Sequence, residues 1–201
     1  MSLVTTSTFD VLHLTWRIAN SSMHAKTEEV HALAYLACIL SVFCEQPAEM
    51  WGYRFAVTGS GAPYAESIDT AIERLAASGM IESAAGTHRL STVGKTMRDS
   101  TATHSDPSSR LPYLDAAANT TLALALPVAT AAVMKEPQLR TAVELAQRRT
   151  LLDAAGLAVL EPHFDGLRSL AVEQHGEAGD TSLFATAVLW LRYLRAETLQ
   201  E

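Results

Sequence analysis

The chain has 201 residues, of which 48% are hydrophobic and 18% are charged. This composition supplies enough apolar side chains for a core, so it argues against extended disorder and favours one domain or two small ones. The net charge is −7, and acidic residues outnumber basic ones on both sides of residue 100, so neither half has the composition of a basic, nucleic-acid-binding domain.

Cysteine usage and the N-terminal residues indicate a compartment. Cys38 and Cys44 fall on different faces of one predicted helix, where they cannot bridge each other. Unpaired thiols are typical of a reducing environment, and the first residues lack the basic and apolar stretches of a secretion signal, so we expect a cytoplasmic protein. The uncharged run 116–134 has the length of a membrane span, but its Ala- and Thr-rich composition favours a buried core helix, and no membrane association is expected.

The first 44 residues predict two buried elements. The alternation of apolar residues within 11–18 favours a strand, although the spacing of Leu12 and Trp16 also fits a helix. Thr27 has the character of a helix N-cap, with two glutamates in the first turn after it. The helix that follows is apolar on nearly every face from Ala32 to Cys44, which indicates burial on more than one side.

Residues 47–100 predict a strand, a helix, a hairpin and a further helix. Pro47 ends the preceding helix or opens a short helical turn, and Tyr53–Val57 alternates as a strand does. After a glycine-containing loop, Pro63 is expected to open a helix, which Gly79 ends. The apolar face of that helix is expected to lie on the helix beginning near Thr27. The remaining predicted elements are strands at Met80–Ala84 and Thr87–Leu90 and a helix capped by Ser91 or Thr92.

The second half of the sequence predicts helices only. A polar linker at 101–109 precedes them. The expected helices are Pro112 to about Lys135 with a break or kink at Pro127, Pro137–Gly156, Glu161–Gln174, and a last one capped by Asp180 or Thr181. The predicted fold class is therefore mainly α with a small β-wing. It consists of a winged helix-turn-helix domain at 1–105 followed by an all-helical bundle at 106–201.

A narrower resemblance rests on two short motifs. The sequence Tyr53-Arg-Phe, followed by the Gly-Ala-Pro-Tyr-Ala-Glu-Ser-Ile stretch of 61–68, resembles a signature of small winged-helix subunits in bacterial defence operons. These are the middle or accessory components of ABC-three-component systems, which include Lamassu-type systems. The resemblance covers about residues 30–95, and the chain departs from the signature at Ala62 and Ala65. It implies a non-catalytic subunit in an anti-phage complex, with an SMC-like ATPase and an effector nuclease as partners.

Acidic residues mark the helix that a winged-helix protein would use to read DNA. On a helical wheel, Glu66, Asp69 and Glu73 fall in one arc on the side opposite Ile68 and Ile72. DNA affinity depends on Lys and Arg contacts to phosphates, so weak or no direct nucleic-acid binding is expected. The arc is either a solvated face or a docking surface for a basic protein partner, and the pattern alone leaves both open.

A second candidate contact lies on the last helix. Leu189 and Tyr193 fall beside its broad apolar face, next to Arg192. Leu and Tyr beside Arg is a combination found at protein interfaces, so this strip is predicted to contact another chain, whether a copy of itself or a different subunit. The alternative is that the helix buries both strips within its own bundle.

No motif for catalysis, a metal or a cofactor emerges. His24, Glu28 and His31 have a spacing that could align metal ligands, but His24 precedes the helix. Glu161, His163 and Asp165 form no recognised catalytic signature, and the glycines at 59–61 lack the lysine of a phosphate-binding loop. We therefore expect a protein that is not an enzyme. The alternative to the accessory subunit is a dimeric winged-helix transcriptional regulator, which would need basic residues that are sparse here.

Overall fold

A computed structural model of the chain describes residues 6–20, 24–103, 105–145, 149–175 and 182–197. Helices account for 71% of the structure, and the strands form small antiparallel sheets. The helices are α1 Thr6–Ala19, α2 Thr27–Phe43, the 3₁₀ helix Ala48–Trp51, α3 Glu66–Ala77, α4 Thr92–Thr101, α5 Ser105–Ala123, α6 Leu126–Val133, α7 Pro137–Glu144, α8 Ala154–His175 and α9 Leu183–Glu197. The prediction of a mainly α fold with a small β component is confirmed, whereas β6 contradicts the expectation that residues 106–201 are all-helical.

The strands form two three-stranded sheets. They are β1 Ala25–Lys26, β2 Phe55–Val57, β3 Pro63–Tyr64, β4 Ile81–Ala84, β5 Thr87–Leu90 and β6 Thr150–Leu151. One sheet has the order β1-β5-β4, with Ile81 opposite Leu90 in the central hairpin. The other has the order β3-β2-β6, with Phe55 opposite Leu151. The second sheet therefore joins residues that are distant in the sequence.

Residues 11–18 form a helix, so the favoured strand prediction is wrong. Every residue of α1 from Phe9 to Thr15 is buried, so the sequence has no polar face to reveal a helical period. Two polar residues inside this run bond to side chains of α5, and one of them is His13, whose Nε2 lies 2.9 Å from Asp115 Oδ1. Because residues 11–18 are helical, α3 packs mainly on α1, which corrects the expectation that it packs on the helix beginning near Thr27.

Helix α2 is the buried centre of the fold. All its residues from Glu29 to Ser41 are buried, as the all-round apolar pattern predicts. Glu29 is part of the helix start, because its carboxylate accepts a hydrogen bond of 2.8 Å from the backbone N–H of Lys26. A Thr27 N-cap would make Glu28 the first helical residue. The helix instead begins at Thr27, and Lys26 is its N-cap.

Two corrections concern the later elements. Pro63 lies in β3 and not in a first helical turn, and α3 starts at Glu66. The predicted helix Pro137–Gly156 is wrong, because α7 ends at Glu144 and β6 follows it. Thr150 and Leu151 are too short a segment to show an alternating pattern in the sequence. They form β6 because they pair with an edge of β2. The break expected at Pro127 is confirmed, whereas the caps proposed at Asp180 or Thr181 lie outside the described residues.

One continuous core connects both sides of the predicted boundary at residue 105. Helix α5 packs against α1, α2 and α9, and the buried apolar residues form one cluster that runs from α1 to α9. Among the described helices, each is too short or too polar for a membrane crossing. The division into domains at 1–105 and 106–201 stays a prediction.

A buried ion pair ties α1 to α5. The Arg110 guanidinium binds both carboxylate oxygens of Asp10 and the backbone carbonyl of Trp51, and it stacks on the Trp51 ring at 3.8 Å. Tyr53 donates a hydrogen bond of 2.7 Å to the same carboxylate. Burial raises the pKa of Asp10, while Arg110 and Tyr53 act in the opposite direction. The cluster therefore positions α1, α5 and the segment before β2 against one another.

A second buried carboxyl, Glu136, starts α7. It accepts hydrogen bonds from the Tyr35 hydroxyl at 3.0 Å, the Leu139 N–H at 3.1 Å and the Gln138 side chain at 3.3 Å. Gln138 in turn accepts from the N–H of Leu152 at 2.9 Å, which fixes the turn between β6 and α8. Burial raises the pKa of Glu136 to about 7, although these hydrogen bonds lower it.

Substitution of Arg110 by Met should destabilise the protein strongly. It leaves the fully buried Asp10 carboxylate without its cation, which typically costs about 3–5 kcal/mol of unfolding free energy. Adding Asp10→Asn to Arg110→Met should recover part of that loss. Urea unfolding monitored by circular dichroism measures both changes. The matched control is Arg168→Met, which removes the exposed pair with Asp165 and should lower the unfolding free energy by less than about 1 kcal/mol. Equal losses of unfolding free energy for the two pairs would contradict the conclusion that Asp10 depends on Arg110 in the buried interior.

The stability of the protein should depend on Glu136 between about pH 4.5 and about pH 7. A carboxyl whose folded-state pKa lies above its unfolded value stabilises the fold at low pH, and that stability is lost as the pH rises through the folded pKa. Relative to wild type, Glu136→Gln should therefore gain about 1.4 kcal/mol per pH unit across this window. Urea titrations at several pH values measure the difference. The exposed Glu144→Gln variant on the same helix should show no such slope.

Candidate protein-docking surface

The three predicted carboxylates of α3 differ in their surroundings. Glu66 and Glu73 are exposed, as the helical wheel indicates. Asp69 is only half-exposed, and its Oδ1 accepts a hydrogen bond of 2.9 Å from Nε2 of His31 on α2. We call these three residues the acidic face. Two of its members point to solvent, and the third joins α3 to α2.

His31 is held at both ring nitrogens. Its Nδ1 accepts a hydrogen bond of 3.2 Å from the N–H of Ala65, so its proton lies on Nε2 and is donated to Asp69. Burial lowers the pKa of His31, while Asp69 raises it. With neither nitrogen available to a substrate, this histidine cannot act as a general base. It fixes the start of α3 and the orientation of the Asp69 carboxylate.

Tyr64 lies within the field of the whole acidic face. Its ring is 5.2 Å from that of His31, and its side chain is half-exposed. Partial burial, followed by the carboxylates of Asp69, Glu66 and Glu73, raises the pKa of the Tyr64 phenol. All three carboxylates therefore act on one phenol, which remains a neutral hydrogen-bonding group at neutral pH. An aromatic side chain beside several acids suits contact with a cationic group.

A cavity of about 450 Å³ adjoins Tyr64 and Asp69. Its other walls come from the start of α2, the loop before β3 and the tip of the β4–β5 hairpin. Lys26 and Glu28 line it, 3.9 Å apart between Nζ and Oε1, as do Ser60 and Thr87. The cavity gives the acidic face a recess that a partner's side chain could enter.

The hairpin tip offers little positive charge. His88 is buried and bonded at 2.8 Å to the Thr27 hydroxyl and at 2.9 Å to the Ser83 hydroxyl, which joins the hairpin to the start of α2. Burial lowers the pKa of His88, although Asp69 raises it. Arg89 pairs with Glu82 across the hairpin. Both His88 and Arg89 are thus engaged within the chain.

The strip formed by Leu189 and Tyr193 on α9 contacts its own chain in part. Tyr193 is half-buried, stacks on Trp190 and shares a hydrogen bond of 2.9 Å with Nδ1 of His163 on α8. Leu189 is half-buried and packs against the core. Phe184 on the same helix is 36% exposed. Contact of Leu189 and Tyr193 with another chain stays a prediction.

The other candidate clusters do not converge. His24 is exposed before α2, away from the helix that carries Glu28 and His31, and the described residues contain no group of three or more potential metal ligands. Asp165 pairs with Arg168 at 2.9 Å and Glu161 is exposed. In the loop before β3, the Thr58 N–H donates to the Ala62 carbonyl oxygen, and the Ala62 N–H donates to the Thr58 hydroxyl.

Sequence reasoning missed the partners of Asp69 and the role of Tyr64. The available signal was His31 itself, because a histidine inside a helix that is apolar on every side is buried and needs a hydrogen-bond partner. Which residue supplies that partner depends on the tertiary structure.

Comparisons with models of protein families, with curated proteins and with solved structures find no match.

Proposed function

We propose that residues 6–101 form a winged helix. The order of elements supports this: α1, β1, α2, α3 and then the β4–β5 hairpin, with β1 added to the hairpin in the sheet order β1-β5-β4. Helix α3 then occupies the position of the recognition helix, and the β4–β5 hairpin is the wing. The segment that carries β2 and β3 is an insertion between α2 and α3.

The proposed function is that of a non-catalytic accessory subunit that binds protein through the acidic face. The observation that carries it is the grouping of exposed Glu66 and Glu73 with half-exposed Tyr64 beside a cavity. Such a surface complements a basic segment of a partner and repels phosphates. The resemblance to accessory components of ABC-three-component defence systems suggests an SMC-like ATPase as the partner, with an effector nuclease in the same complex.

A dimeric transcriptional regulator is the second candidate, and the winged-helix order of elements is what favours it. A regulator needs cations on α3 or the wing to hold the phosphate backbone. Arg74 is exposed on α3, but it shares the helix with the acidic face, and Arg89 is paired with Glu82. The charge distribution therefore ranks the regulator second.

DNA binding separates the two candidates. The protein should bind duplex DNA with a Kd weaker than about 10⁻⁵ M near physiological salt, because the acidic face repels phosphates where α3 would enter the major groove. Fluorescence anisotropy with labelled duplexes at two salt concentrations measures this. Sub-micromolar binding that falls steeply with salt would replace the accessory subunit by the regulator.

The partner should bind through the acidic face. We expect the protein to co-purify with an SMC-like ATPase when it is co-expressed with the genes that neighbour its own. Reversing charge with Glu66→Lys and Glu73→Lys should weaken that association by at least about tenfold, because exposed carboxylates that meet a basic partner become repulsive. Biolayer interferometry with the purified partner measures the change.

The matched control for this experiment reverses two exposed carboxylates elsewhere. Glu144→Lys with Glu161→Lys changes the net charge by the same amount on α7 and α8. It should leave the association intact. If both double variants weaken binding equally, the effect is one of net charge, and if neither does, the acidic face is not the docking surface. Neighbouring genes that encode no SMC-like ATPase would contradict the proposed complex.

A further inference from the structure

A second cavity, of about 380 Å³, lies where β2 meets β6. Residues of α2, the 3₁₀ helix and β2 form one side, and the turn from β6 into α8 forms the other. This volume is within the range of small-molecule binding sites. The cavity is separate from the acidic face and shares no lining residue with the cavity beside Tyr64.

The inner wall of the cavity is aromatic and apolar. Phe55 and Cys38 are buried there, and the Tyr53 ring lies 5.4 Å from that of Phe55. The Tyr53 hydroxyl is bonded to Asp10, so the ring presents carbon atoms to the cavity. Burial raises the pKa of the Cys38 thiol far above neutrality, so the thiol acts as an apolar wall and not as a nucleophile. This wall suits an apolar side chain.

The exposed residues that line the cavity, here called its mouth, carry charges of both signs. Glu49 and Arg54 line it and are exposed, and neither forms a salt bridge with a residue that the structure describes. Asp153 is the third charged residue, with its Oδ1 accepting from the N–H of Gly156 at 2.8 Å. One cation and two carboxylates thus line the cavity, and one oxygen of the Asp153 carboxylate already binds the backbone at the start of α8.

We propose that this cavity binds a small zwitterion with an apolar side chain, of the α-amino acid class. The ligand's carboxylate would pair with Arg54, its ammonium group with Glu49 and Asp153, and its side chain would cover Phe55 and the Tyr53 ring. A simple anion would meet two carboxylates, and a simple cation would leave Arg54 without a partner. A zwitterion satisfies both signs at once.

Such a ligand would connect two segments that are distant in the sequence. Arg54 and Glu49 belong to the segment around β2, whereas Asp153 follows β6. Between β6 and α8, Leu152 has a φ of 59°, a left-handed backbone that an L-residue adopts at a cost, and Gln138 holds its N–H. A ligand across this junction would stabilise the strained turn, so binding should raise the thermal unfolding temperature of the full chain.

The test is isothermal titration calorimetry of the full chain with L-phenylalanine and L-leucine. We expect saturable binding by at least one of them. Phenethylamine and 3-phenylpropionate, which each lack one charge, should bind at least about tenfold more weakly, and glycine, which lacks the side chain, should do the same. No saturable binding of either amino acid up to about 10 mM, or equal binding of a singly charged analogue, would overturn the proposal.

Variants locate the binding to the cavity mouth. Arg54→Met and Glu49→Gln should each weaken amino-acid binding by at least about tenfold, because each removes one ligand charge contact. Both side chains are exposed, so the variants should retain the circular dichroism spectrum of the wild type. Arg74→Met, an exposed substitution on α3, is the matched control and should bind as the wild type does. Unchanged binding in both mouth variants would place the ligand elsewhere and overturn the assignment.

Discussion

The buried ion pair between Asp10 and Arg110 is the constraint on which the arrangement of elements depends. Both charges are removed from water, so each is tolerated only because the other, with Tyr53 and the Trp51 carbonyl, satisfies it. The pair sets α1 against α5 and fixes the segment that leads into β2. Since α3 packs on α1, the position of the acidic face depends on a contact in the interior.

Other buried polar groups act in the same way at the remaining junctions. His31 joins α2 to α3, His88 joins the hairpin to the start of α2, and Glu136 joins α7 to α2 through Tyr35. A hydrogen bond needs a defined distance and direction, whereas apolar contact tolerates sliding. These bonds therefore set the register between helices that the apolar core alone would leave loosely specified. The proposed docking surface inherits its geometry from two of them.

Local patterns in the sequence predicted the middle of the chain well. Helix α2 follows from its all-round apolar pattern, α3 from the apolar face with Ile68 and Ile72, and the hairpin from the strands expected at Met80–Ala84 and Thr87–Leu90. The exposure of Glu66 and Glu73 follows from the same wheel. These features are encoded by neighbours in sequence, so period and turn chemistry suffice to find them.

The features that the sequence did not predict depend on distant residues. Helix α1 reads as a strand because both its faces are covered, and its internal Asp10 makes sense only beside Arg110. The bond between His31 and Asp69 joins residues on two helices, and no spacing rule connects them. The cavity at β2 likewise needs Asp153, which arrives with β6. Tertiary context decided each case.

The pairing of β2 with β6 has a consequence for how the protein is made. While the chain is synthesised, β2 and β3 emerge long before Thr150 and Leu151, so one edge of β2 stays open until most of the protein has left the ribosome. An open strand edge is a template for other chains, and closing it requires a long loop to be ordered. The second edge of β2 is thus covered only when the late-emerging residues of β6 dock on the early ones.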